Sequence, residues 1–90
     1  MKFTDQLFRA WDKDIASIRV APDLRALLGE LPRRLNQHMA LHPKAKTHGY
    51  EMRLVRPLTV LERAACKHLG LRVKAEHDIT WIGIGNFSKP

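Results

Sequence analysis

The sequence predicts an α+β fold: three N-terminal helices, then a β-α-β-β run with a C-terminal hairpin, giving a small three-stranded sheet packed by helices. Two observations carry that expectation. Over the first forty residues apolar side chains recur at three- and four-residue spacing, interrupted by proline and glycine. From Tyr50 the period falls to two in three short runs, with one capped helical segment between the first and second.

Thr4 is placed to cap a first helix, with Asp5 in the first turn where an acid suits the helix dipole. Phe3, Leu7, Trp11, Ile15 and Ile18 follow at helical spacing, and Phe8 widens the stripe. Pro22 and Asp23 open a short second helix carrying Leu24, Leu27 and Leu28, which Gly29 is expected to stop. Pro32 suits the first turn of a third helix, through Leu35 and Met39 to Leu41, and Pro43 ends it. The stretch from His42 to Gly49 reads as an exposed basic loop.

Tyr50 to Arg56 alternates, with Met52 and Leu54 on one side and Glu51, Arg53 and Val55 on the other. Thr59 and Glu62 form a capping box for a further helix, with Leu58, Leu61, Ala65 and Leu69 inward and Gly70 as its stop. Leu71 to Glu76 alternates again, His77 and Asp78 make a tight turn, and Ile79 to Phe87 is the last strand.

Ninety residues suit a single domain, residues 1–90, with one core. With 44% hydrophobic and 28% charged residues the composition is that of a globular chain, which argues against wholesale disorder. The single cysteine, Cys66, rules out an intrachain disulfide and suits a reducing compartment. Charges interrupt every stretch short of the roughly 18 apolar residues a spanning helix needs. Asp5, Arg9, Asp12 and Asp14 stand where a signal peptide would be apolar. The expected location is the cytoplasm, with no membrane partner.

The net charge of +7 is unevenly placed: successive thirds of the chain carry 0, +5 and +2. Concentrated positive charge draws in polyanions. The expected function is therefore non-enzymatic binding of DNA or RNA, without cofactor, through Arg33, Arg34, Lys44, Lys46, Tyr50, Arg53, Arg56, Arg72, Lys74 and Trp81. If Leu54, Val73, Ile82 and Ile84 face the core, the two-residue period puts Arg53, Arg72, Lys74 and Trp81 on the opposite face. That face is either an open platform where Trp81 stacks a base, or it is covered by the N-terminal helices with Trp81 in the core.

The competing class is a protein–protein inhibitor or adaptor, of the kind phages and plasmids use against nucleic-acid machinery. Its anchors would be Trp81, Phe87, Tyr50 and Arg56, docking on an acidic protein surface. A third class is metal-free RNA cleavage by His42, His48 and Tyr50, with Lys44, Lys46 and Arg53 clamping phosphate. Residues Leu41-His42-Pro43-Lys44 and Gly49-Tyr50-Glu51-Met52-Arg53-Leu54 resemble the loop-into-strand entry of RelE/HigB-like ribonuclease toxins. The resemblance spans about a dozen residues, ends at Pro57 and transfers no catalytic residue.

The run Leu58-Thr59-Val60-Leu61-Glu62-Arg63 to Leu69-Gly70-Leu71 is similar to the opening helix of bacterial helix-turn-helix domains, but alternating residues follow where a recognition helix belongs. In a winged-helix variant that helix would itself enter the groove, with Arg63 and Lys67 facing it. His38 and His42, four apart, have a spacing that can share a metal, but Cys66 and His68 point apart on a helix and do not complete a set, so no metal is expected. Gly83-Ile84-Gly85 lacks the following helix of a phosphate loop, and Ser17 and Ser88 are poorly placed as nucleophiles.

Overall fold

The computed structural model describes residues 2–85 as three helices and one three-stranded sheet. Helix α1 spans Asp5–Ser17, and the Thr4 side chain accepts the Leu7 N–H at 3.3 Å as its cap. Trp11 and Ile15 are buried along its inner face, and Phe3, just before the helix, is buried as well. Asn36 holds the chain just before α1 by two bonds: its Oδ1 accepts the Phe3 N–H at 2.9 Å, and its Nδ2 donates to the Phe3 carbonyl at 2.8 Å. At the other end Arg25 donates to the carbonyls of Ile15 and Ile18, satisfying groups that the helix terminus leaves open.

The second and third predicted helices are one. Helix α2 runs unbroken over Pro22–Leu41, with Gly29 and Pro32 both inside it, so the chain has two N-terminal helices, not three. The cause lies partly in the leucines. Leu24, Leu27, Leu28, Leu31 and Leu35 form one buried stripe that continues in phase across Gly29 and Pro32. The rest lies in Trp11. A proline at position 32 cannot donate to the carbonyl of Leu28, the bond an interior residue would make. The indole Nε1 of Trp11 donates to that carbonyl instead, at 2.7 Å.

Replacing Trp11 with Phe therefore strands the Leu28 carbonyl in the core. The expected cost is about 1–3 kcal/mol, read from denaturant unfolding. Adding Pro32→Ala returns a backbone N–H to the same carbonyl, so the double variant should lose less than the two single losses added together.

Strands β1 (Gly49–Leu54), β2 (Arg72–Glu76) and β3 (Ile79–Gly85) form a sheet of order β1-β3-β2, with β3 antiparallel to both neighbours. The edge strands therefore run parallel to each other, joined by α3 (Val60–His68). The expected capping box is present: Thr59 accepts the Glu62 N–H, and Glu62 accepts the Thr59 N–H, each at 3.1 Å. Gly70, with φ of 75°, turns the chain out of the helix. The inward face of α3 differs from expectation. Glu62 and Cys66 point into the core, while Leu61 is 71% exposed. Helix α3 is rotated toward the partners of the Glu62 carboxylate.

Leu54, Thr80, Ile82 and Ile84 are buried on the helix-facing side of the sheet, against the leucines of α2 and with Cys66. Gly85 ends β3 with φ of 90°, and a Cβ there would lie 2.6 Å from the His48 carbonyl oxygen, so only glycine fits. Phe87, assigned to the last strand and to a protein-binding surface, lies outside the described residues. Among the described residues no helix is long and apolar enough to cross a membrane.

Candidate nucleic-acid interface

The ten residues expected to bind separate into three groups. Three of the arginines are held by acids. Arg33 pairs with Asp12 at 3.2 Å, donates to the Gly29 carbonyl and lies 4.8 Å from the centre of the Phe8 ring. Arg34 pairs with Glu30 one turn earlier at 3.2 Å. Arg56 is the hub of a network, bonding both oxygens of Asp23 at 2.8 and 2.9 Å and both of Glu62 at 2.8 Å.

That network is structural. Glu62 is 3% exposed and also accepts the backbone N–H groups of Ala21 and Thr59. The guanidinium of Arg56 holds the Glu62 carboxyl down at about 2 and that of Asp23 at about 2. The Arg56 carbonyl accepts from the Thr80 hydroxyl at 2.9 Å, which ties the same residue to the central strand.

The second group surrounds the start of β1. Lys44 and Lys46 are exposed on the loop before it. Tyr50 is half-buried on the helix-facing side of the sheet, 6.1 Å from His38 between ring centres, and so is turned away from Trp81. His38 also lies 4.6 Å from His42 and 6.1 Å from His48. The buried Nδ1 of His48 has no hydrogen-bond partner among the described residues. His42 and His48 thus gather around His38, a neighbour that the spacing supplied only for His42. Among the described residues no three His, Cys, Asp or Glu side chains are arranged to hold a metal. Cys66 is sealed in the core, and burial, with Glu62 nearby, pushes its thiol up to about 11.

The third group is brought together by the sheet. Arg53 on β1 and Lys74 on β2 are the direct cross-strand neighbours of Trp81 on β3. One register step away, Glu51 and Arg72 flank Gly83 in the same way. All of these positions are on the face opposite Leu54, Ile82 and Ile84. Arg53, Arg72 and Lys74 are exposed and Trp81 is half-buried, so the helices do not cover this face. Two acids share it: Glu51, and Glu76, which lies 3.8 Å from Lys74. Arg53, Lys44 and Lys46 make no ion pair among the described residues.

Sequence reasoning missed the hollow at the hairpin end of this face. A cavity of about 350 Å³ is lined by Val55, Glu76, His77, Asp78, Ile79 and Trp81. Ile79 is two residues from Trp81 and Glu76 pairs with Ile79, so the two-residue period was signal enough for both. Val55 comes from beyond the end of β1 and joins them only once the strands are in register. A larger hollow of about 490 Å³ lies between α1, the end of α3 and the end of β3. Its walls are mainly apolar, with Asp14, Ser17 and His68 as the side chains that can hydrogen-bond there.

Among protein-family models, curated proteins and solved structures, none matches this chain.

Proposed function

We propose that this protein binds single-stranded nucleic acid across the open face of its sheet, without catalysing a reaction on it. The observation that carries this reading is the row Arg53–Trp81–Lys74: an accessible indole between two cations on adjacent strands. An aromatic face accepts any base by stacking, and cations on either side meet the phosphates that flank it. A duplex would keep its bases from the indole, so the arrangement favours a single strand. Arg72 extends the cationic row, and Lys44 and Lys46 continue it from the loop at the start of β1. Arg33 and Arg34 are left out of the interface because they stand on α2 and pair with Asp12 and Glu30, and Arg56 because Asp23 and Glu62 hold it; Lys74 is 3.8 Å from Glu76 but stands on the open face beside Trp81.

The test is a salt titration. Labelled ten-nucleotide DNA and RNA single strands, mixed with protein freed of nucleic acid, should bind and raise the anisotropy of the label. With three phosphate contacts, affinity should fall about twentyfold between 50 and 200 mM salt. The RNA should be recovered intact. Cleavage that depends on His42 or His48 would replace this reading with the ribonuclease one. Absence of binding at the lowest salt would turn the same surface toward an acidic protein partner.

A further inference from the structure

We infer that the hollow beside Trp81 is a base-recognition subsite selective for guanine. This rests on the sheet face being a nucleic-acid surface, and it adds which base that surface prefers. The hollow has two kinds of wall. Val55, 72% exposed, Ile79 and Trp81 supply an apolar lining suited to the faces of a flat ring. At the hairpin end the lining is Glu76, His77 and Asp78. Register places Glu76 on the same face as Ile79 and Trp81. In the intervening turn His77 takes φ of 56°.

Charge sets the direction in which a strand lies. Glu76 lies 3.8 Å from Lys74, an exposed pair that an incoming nucleotide parts; the two carboxylates then repel phosphate, whereas Arg53 and Lys74 beside Trp81 attract it. A nucleotide on this face therefore points its base edge toward the hairpin and its phosphates toward the middle of the sheet. Ionised carboxylates only accept hydrogen bonds. Uracil offers one N–H between two carbonyls, which a carboxylate repels. Cytosine and adenine each offer an amino group beside a bare ring nitrogen. Guanine alone offers two adjacent donors, N1–H and the N2 amino group, to match the two oxygens of one carboxylate. Single-stranded bases are commonly read on this edge while their faces stack.

The experiment uses ten-nucleotide RNAs of uridine carrying one central guanosine, inosine, adenosine or cytidine, each compared with the all-uridine strand. The guanosine strand should bind about tenfold tighter than the all-uridine strand, the discrimination of one good bidentate contact. Inosine, which lacks the N2 amino group, should lose most of that gain. In the double variant Glu76→Gln with Asp78→Asn the ratio between the two strands should fall to near one. Both residues are exposed, and a thermal melt of the variant confirms that it is folded. Equal affinity for all five strands would overturn the base preference and leave the sheet-face reading standing. So would a preference for adenosine or cytidine, and a guanosine preference that survives in the double variant removes the carboxylates from the subsite. No binding by any strand would remove the reading beneath it as well.

Discussion

Replacing Arg56 with alanine should destabilise the fold by about 3 kcal/mol, in the range found when one partner of a buried ion pair is removed. The Glu62 carboxylate, 3% exposed, would keep its bonds from the Ala21 and Thr59 amides but lose its counter-ion. A loss of this size in a domain of ninety residues lowers the melting temperature by about 12 °C or more. It is a large share of the stability usual for a small domain. Lysine should restore only part of it, because an ammonium cannot present paired donors to both Asp23 and Glu62.

A second substitution separates the charge from the packing. In the Arg56→Ala background, Glu62→Gln removes the stranded charge and should recover stability, although Glu62→Gln alone is destabilising. The acid limb of the stability curve gives an independent check. Asp23 and Glu62 both titrate lower in the folded chain, at about 2, than their ordinary values of 3.8 and 4.5. Unfolding thus takes up protons, and the stability these groups supply is complete above about pH 4.5 and is lost as pH falls toward 2. Thermal melts across that window should show a steep acid limb in the wild type and a shallower one in Arg56→Ala.

The same arginine marks where sequence reasoning stopped. A basic stretch marks Arg56 as a candidate binding residue, but its partner Asp23 is 33 positions away and becomes a neighbour only through the tertiary fold. Arg33 is paired in the same way, since Asp12 reaches it from another helix. What was legible is local: the two-residue period placed Arg53, Arg72, Lys74 and Trp81 on one face, because pleat geometry requires no knowledge of distant residues. The break expected near Gly29 and Pro32 failed because both residues were read by propensity, a weak prior that tertiary contacts override. Here the override is the leucine stripe of α2 together with an indole hydrogen bond from Trp11 to the Leu28 carbonyl, seventeen residues later in the chain. Leu61 and Glu62 show the same limit in α3, where the buried face was chosen by a charge that found its partner.

Truncating Trp81 should have the largest effect on binding. Trp81→Ala is expected to weaken affinity for single strands about tenfold or more, the loss typical of one stacked base. Trp81→Phe should retain most of it, because a smaller aromatic face still stacks. The effect on stability should be small, as Trp81 is half-buried and its direct cross-strand neighbours, Arg53 and Lys74, are exposed. The chain has one other tryptophan, Trp11, which is buried with its indole N–H bonded to the Leu28 carbonyl. Stacking on Trp81 should therefore quench only part of the emission, and the Trp81→Phe protein, reporting Trp11 alone, should show no quenching while it still binds. If quenching persists in that variant, the strand approaches the Trp11 side of the molecule. If Trp81→Ala binds as tightly as the wild type, the indole is not part of the interface. The cations alone would then be the contact, and Arg53 with Lys74 is the pair to neutralise next.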